Sequence, residues 1–344
     1  MIEPSYILLA TAQKMNKYRK KICLLFCGGS ALAKGGKSFE VKKAVDINSW
    51  LMNFEELSIM ADIEPVFIFG GKSANVSAQE WIKLSNQIKK RIKKTDGFVI
   101  LHDPQTMAYT ASALSFAFQN LNKPIVLTGS PLASSSLTKV KDIYSEFKGL
   151  GIKANLLNAI QVASSGLNKV AILFGSRLIA GVQAVSAEPP GLNYFDSYSN
   201  QYLGRVDFGI SLTQKTKKIT SALKIKNSFD TKVSVFDYHP GVDVSLITNI
   251  NKQKVHGLII RLHHQNILPD NFITALKSLK KHKIPVVIYE AGSDIKTVKT
   301  AGFILANNMS LAATLVKLMW LLAQSKDLTK IKKLMNKNMV GEII

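Results

Sequence analysis

FVILHDPQTMAY, residues 98–109, is the stretch on which the fold turns. An apolar strand runs directly into the polar cluster His102-Asp103-Pro104-Gln105-Thr106, and then into TMAYTASALSFAFQNL, where small residues and aromatics alternate at helical spacing. Strand, polar corner and helix in succession are the building unit of a parallel sheet. In that architecture ligand sites form beyond the C-terminal ends of the strands. The helix that follows aims the positive end of its dipole at the same corner.

Outward from this corner the pattern repeats. ICLLFC, PVFIF, FVIL, PIVLT and KVAILF read as buried strands, and WLMNFEELSIMA, SAQEWIKLSNQIKKRI and NLLNAIQVAS read as helices between them. The alternation predicts an α/β fold with a mainly parallel sheet flanked by helices. The text then turns polar and lysine-rich, without an apolar period, which we read as a linker over residues 212–232. Alternation resumes with VSVFDY, GLIIRL and IPVVIY as strands and FITALKSLKKH and LAATLVKLMWLLAQ as helices. The expected organisation is an N-terminal extension over 1–20, a larger domain over 21–211, and a smaller α/β domain over 233–344.

Composition excludes some functions. No apolar run approaches the ~18 residues of a membrane span, so no membrane partner is expected. KMNKYRKK followed by ICLLFC imitates a secretory leader, but the apolar run covers only Ile22 to Cys27 and meets Gly28-Gly29 at once. A cytoplasmic setting is expected. Cys23 and Cys27 fall on one face of a strand with Cα atoms roughly 13 Å apart, too far to bridge, and read as packing residues. The net charge of +22 is spread over many short lysine runs, and only Arg19, Arg91, Arg177, Arg205 and Arg261 are arginines. Nucleic acid is therefore disfavoured as a partner, because bidentate reading of phosphate and guanine falls to arginine.

Metal readings fare no better. His263 and His264 are adjacent on a strand and point to opposite faces, and Asp237, His239 and Asp243 sit in FDYHPGVD, a turn after a strand. Met309, Met319 and Trp320 lie on or beside a strongly apolar helix and read as core. No cofactor is implied.

The second chemistry-bearing corner is LLFCGGSALAKGG. Paired glycines after a strand allow a tight turn and close approach of a ligand to the backbone at Gly29, with the Ser30 hydroxyl at its mouth. The spacing is neither G-x-G-x-x-G nor a P-loop.

Together the corners resemble the bacterial L-asparaginase family, especially its type I cytoplasmic branch. The family signatures A-T-G-G-T-I and H-G-T-D-T-M stand here as Phe26 to Ala31, F-C-G-G-S-A, and His102 to Met107, H-D-P-Q-T-M. GGKSANVSAQEW, KPIVLTGS, FDSYSNQYLG, DYHPG and NNMSLAATLVKLMWLLAQ are similar to further family stretches in the same order. The resemblance implies the two-domain asparaginase fold, a small-molecule amide substrate, assembly as a homodimer or homotetramer, and no cofactor.

It also implies roles residue by residue. The nucleophile maps onto Ser30, the proton-transfer lysine onto Lys123, and the substrate-carboxylate serine onto Ser73. The relay threonine maps onto Pro104, which has neither hydroxyl nor N–H, and the ammonium-binding aspartate onto neutral Gln105. A shift of the turn by one residue would present the carboxylate of Asp103 and the hydroxyl of Thr106 instead, and Pro104 restricts Asp103 to extended backbone. The residues leave three readings open: hydrolysis of L-asparagine or a related small amide, an asparaginase-fold protein that binds without turnover, and a family member with a changed substrate.

Overall fold

The computed structural model of the chain describes residues 19–34, 37–70, 76–131, 151–188, 193–206, 209–213, 219–263, 268–290, 302–306 and 308–344. The larger unit is built on an eight-stranded sheet. Its strands are β1 (Lys21–Cys27), β2 (Asp62–Phe69), β3 (Gly97–His102), β4 (Ile125–Thr128), β5 (Val170–Phe174), β6 (Arg177–Ala180), β7 (Gly204–Val206) and β8 (Ile210–Leu212). They lie in the order β8-β7-β6-β5-β4-β3-β1-β2. Pairing is parallel from β2 to β5 and antiparallel from β5 to β8.

The central strands are apolar throughout because both faces are covered. Ile22, Leu24 and Phe26 of β1 enter one core with Val99, Leu101, Val126 and Trp50. Cys23, Leu25 and Cys27 enter the opposite core with Phe98, Ile100, Leu127 and Leu84. The helix α3 (Ile152–Ala163) covers the first face, while α1 (Ala78–Arg91) and α2 (Pro104–Ala117) cover the second. Both cysteines are buried and unbridged, and burial pushes the Cys23 thiol up to about 12. They are inert packing groups.

The smaller unit is a four-stranded parallel sheet of β9 (Val233–Asp237), β10 (Gly257–Arg261), β11 (Val286–Tyr289) and β12 (Ile304–Ala306), in that order. Helix α4 (Asp270–Ser278) packs with one face of it. Helix α5 (Leu311–Gln324) covers the other face and also meets α2, so that Ala113, Phe116, Val316 and Trp320 share one core. The rings of Phe116 and Trp320 stack with centroids 6.2 Å apart. Ser310 caps α5 and its hydroxyl also donates to the carbonyl of Val182 at 3.1 Å. The two sheets are thereby fixed to each other through one helix pair.

The stretch read as a linker is more structured than its composition suggests. Leu212 is the last residue of β8, and Lys224–Ile225 pairs antiparallel with Phe118–Gln119. The carbonyl of Lys226 accepts from Trp320 Nε1 at 2.7 Å. It is a strap pinned at both units. Of the N-terminal extension, residues 1–18 lie outside the described residues. Among the described residues, no helix is long and apolar enough to cross a membrane.

Two charged groups anchor the end of the chain. Lys317 of α5 is fully buried, bonds Glu342 at 2.6 Å and donates to the carbonyls of Met335 and Lys337. Burial holds its pKa below the ordinary lysine value. Removing one member strands the other charge in the interior, so Lys317→Met is expected to cost about 3–5 kcal/mol in urea unfolding, with part recovered in the double variant with Glu342→Gln. Asp230 accepts from Lys326 and from His256, each at 2.7 Å. Burial raises its pKa, but these hydrogen bonds outweigh it and hold the carboxyl at about 2. A depressed folded pKa stabilises above the unfolded value of 3.8, and that stability is lost as pH falls from there through about 2. Asp230→Asn is expected to flatten the acid limb of a stability-versus-pH curve in that window.

Candidate active-site corner

The C-terminal ends of β1, β3 and β4 meet in a space that only glycine backbone can fill. Gly28 and Gly29, directly after β1, have φ of +81° and +61°. A Cβ on Gly29 would lie 2.1 Å from the carbonyl oxygen of His102, and one on Gly129 would lie 2.2 Å from the same atom. The Ser130 N–H donates to the carbonyl of Gly29 at 2.8 Å. Asn155, buried on α3, donates Nδ2 to Gly129 O and accepts from the Gly175 N–H. Four loops are therefore locked together at this edge.

His102 is part of the lock. Its Nδ1 sits 2.8 Å from the carbonyl of Asp103, which can only accept, so Nδ1 carries the proton. Nε2 then accepts from the Thr110 hydroxyl at 2.9 Å, and that hydroxyl accepts from Trp81 Nε1 at 3.0 Å. Complete burial pushes the imidazole pKa down, against the weaker upward pull of Asp103. The ring is a neutral structural bridge.

Ser30 lies beside this junction but is turned inward. It is 1 % exposed, and its Oγ accepts from the Val41 N–H at 3.0 Å. Its carbonyl accepts from Trp50 Nε1 at 2.8 Å. Among the described residues no base reaches the Ser30 hydroxyl. Nearest in the chain to Val41 is Glu40, whose carboxyl is pushed up by burial, with the charge of Asp103 adding to the shift. Nothing in the amino acids flanking Glu40 marks it in advance.

The second signature forms the start of α2. Asp103 is the N-cap, in extended backbone with φ −66° and ψ 133°, and its carboxylate accepts from the Gln105 N–H at 3.0 Å. Pro104 occupies the first helical turn, where its missing N–H costs nothing. The carboxylate offered by a one-residue shift thus caps the helix through Oδ1. Thr106 Oγ1 is buried with no partner among the described residues. Gln105 is exposed.

Lys123 is the clear departure from expectation. It precedes β4, whereas the corner lies after β4, and its Nζ donates to the carbonyl of Thr95 just before β3. The two edges are separated by the strand's length, roughly 15 Å at ~3.3 Å per residue. The structure brings Gly29, Ser30, Asp103 and Gln105 to one edge and leaves Lys123 at the other. Ser73 and His264 lie outside the described residues.

Beside Pro104 and Gln105 a cavity of about 470 Å³ opens between the two units. Its walls include Tyr109 of α2, Ser186 and Glu188 of the larger unit, and Arg261, Tyr289 and Glu290 of the smaller one. Ser30 is not among them. Arg261 donates Nε and Nη2 to the two carboxylate oxygens of Asp237, which that pairing holds below the usual carboxylate range. Glu290 follows directly after β11, at the strand end where α/β ligand sites form. Sequence position alone could have nominated it. Among the described residues no group of three or more His, Cys, Asp or Glu side chains could hold a metal ion.

The family models for "Asparaginase, N-terminal" and "Glutaminase/Asparaginase C-terminal domain" match residues 21–218 and 232–335. The chain belongs to the asparaginase family. L-asparaginase 1 of Escherichia coli K12 is 31 % identical over 79 % of this chain and 81 % of its own length. A glutamyl-tRNA(Gln) amidotransferase subunit from Sulfurisphaera tokodaii is 28 % identical over 96 % of this chain and 77 % of its own. Among solved structures, L-asparaginase I from Vibrio cholerae superposes with a TM-score of 0.80 at 27 % identity, covering 95 % of this chain and 99 % of that one. The two-domain asparaginase fold expected from the resemblance is the fold found. The family's signature positions thus sit on the expected corner with altered chemistry.

Two outcomes check this geometry. Gly29→Ala forces a Cβ against the His102 carbonyl at positive φ and is expected to cost on the order of 2–4 kcal/mol of stability by chemical denaturation. The His102 ring is expected to keep its neutral NMR signature on acidification through about pH 6.5, where a solvated imidazole would titrate.

Proposed function

We propose that this asparaginase-family protein binds a small-molecule ligand between its two units and does not hydrolyse L-asparagine through the family's relay. The observation that supports the reading is the position of the proton-handling groups. Lys123 is a strand's length from Ser30, Pro104 offers neither hydroxyl nor N–H, and Asp103 is engaged in capping. A general base and an oxyanion donor are each worth ~10² to 10⁴ in rate. A buried hydroxyl that only accepts from a backbone N–H is a poor nucleophile without them.

A second reading keeps catalysis: hydrolysis of L-asparagine or a related small amide by Ser30, with Glu40, which makes no hydrogen bond to Ser30 in this structure, moving in as base in place of the lysine. It is favoured by the retained hydroxyl after the paired glycines and by the raised pKa of the Glu40 carboxyl. Substrate anchoring would then fall to Gly29, Ser73 and Thr106, and the neutral Gln105 suits an amide without an α-ammonium. The likeness to a glutamyl-tRNA(Gln) amidotransferase component, with the net charge of +22, supports testing an RNA-linked amide as well. A cytoplasmic homodimer or homotetramer is part of the proposal, supported by the likeness to the family.

Ammonia release from asparagine, glutamine and simple amides separates the readings. The expected outcome is no release above that of the Ser30→Ala variant. Release that depends on both Ser30 and Glu40 would establish the second reading, and retention of transfer RNA at moderate salt would extend it to an RNA-bound substrate.

A further inference from the structure

The smaller unit carries a second hollow, at the opposite edge of its sheet from the cavity beside Gln105. Ile284 and Pro285 lead into β11, and Gly302 and Phe303 into β12, so this groove of about 190 Å³ lies at the strands' N-terminal ends. The helix α6 (Leu328–Met335) closes its other side with Leu328 and Thr329. Ile284, Val286, Phe303, Ile304 and Leu328 make the walls largely apolar. Two lysines complete them. Lys332 Nζ of α6 stands 3.5 Å from the carbonyl oxygen of Gly302, and a Cβ built on Gly302 would lie 3.2 Å from Lys280 Nζ. Both ammonium groups therefore converge on one residue. Lys280 Nζ also stands 5.3 Å from the centroid of the Phe303 ring, over the apolar floor.

Charge selects the occupant. Among the described residues no acidic side chain stands in the walls. Asp327, next in the chain to Leu328, accepts from the Thr329 and Lys330 N–H groups as the cap of α6. An ammonium has three N–H donors, and among the described residues that of Lys332 makes only the long contact to Gly302. Lys277, Lys281 and Lys283 are exposed on the segment that carries Lys280, and Lys330 and Lys333 are exposed on α6. Like charges gathered on one face repel one another, and an anion seated among them is attracted by all of them. A bare inorganic anion would leave the apolar walls unused. A carboxylate on an alkyl chain uses both, with its head in charge-assisted hydrogen bonds and its tail removed from water. The groove is smaller than the ~300 Å³ at which drug-sized sites begin, which favours a short chain.

We infer that this groove is a binding site for a short-chain aliphatic carboxylate, its head held by Lys332 with Lys280 beside it and its chain laid against Phe303, Ile304 and Leu328. The site is separate from the corner at Ser30 and from the cavity between the two units, since it lies at the other end of the smaller sheet. Ammonia release dependent on Ser30, or its absence, leaves this assignment intact.

The test is calorimetric titration of the full chain with sodium hexanoate at constant ionic strength, with 1-hexanol as the chain without the charge and sodium acetate as the charge without the chain. Saturable binding of hexanoate, about tenfold or more tighter than that of either control, is the expected result. Lys332→Gln keeps an exposed polar side chain and removes the charge, and is expected to weaken hexanoate binding about tenfold, since a charge-assisted hydrogen bond is lost. Lys277→Gln, on the same basic face but outside the groove's walls, is expected to change it less than about threefold. A crystal structure of the native protein with hexanoate, its carboxylate within hydrogen-bond distance of Lys332, gives a check that needs no variant. Absence of saturable binding, equal binding of hexanol or acetate, unchanged affinity in Lys332→Gln, equal loss in Lys277→Gln, or the carboxylate bound elsewhere would each overturn the assignment. Tighter binding of an oligoglutamate peptide than of hexanoate would overturn it in favour of an acidic protein partner.

Discussion

The carbonyl of His102 is held in a gap between Gly29 and Gly129 that has no room for a single additional carbon. Much else at the carboxyl edge follows from that contact. It draws the loops after β1, β3 and β4 together, fixes the start of α2, and sets His102 in a buried chain of hydrogen bonds running through Thr110 to Trp81. The imidazole of His102, the hydroxyl of Thr110 and the indole N–H of Trp81 are each satisfied along that chain, as buried polar groups mostly are. The corner is rigid because its backbone is close-packed, independently of any reaction it carries out.

The same rigidity explains how chemical groups can be exchanged at the corner while the fold stays intact. Proline at the first turn of a helix removes only an N–H that has no helical partner, and an aspartate before it caps the exposed end. His102-Asp103-Pro104-Gln105 is therefore a good helix start whether or not it is a good active site. Stability and catalysis ask different things of these positions. The packing requirement was met with residues that give up the hydroxyl and the carboxylate the family signature carries.

The smaller unit contributes what the larger one lacks. Helix α5 packs across α2, bringing the ends of β10 and β11 over the start of α2, and the cavity forms where the two meet. Arg261 and Glu290 reach it from strands more than a hundred residues distant in the chain from Gln105. The order of the strands and the covering helix put them there.

The amino-acid sequence determined the elements, because apolar runs of strand length and helical periodicity are local properties that each segment carries in itself. Paired glycines after β1 and a proline after an extended aspartate are equally local, and they located the corner in advance. Lys123 shows where local reading stops: its chemistry suited the role, but which end of β4 it occupies is a matter of strand direction within the assembled sheet. Ser30 shows the same limit, since the hydrogen bond that occupies its hydroxyl comes from Val41 only once the loop between them has closed. Glu290 could be placed at a strand end from the sequence, but its burial without a hydrogen-bond partner became visible only in three dimensions. Whether a carboxylate has a partner depends on everything packed around it, and only the tertiary structure decides that.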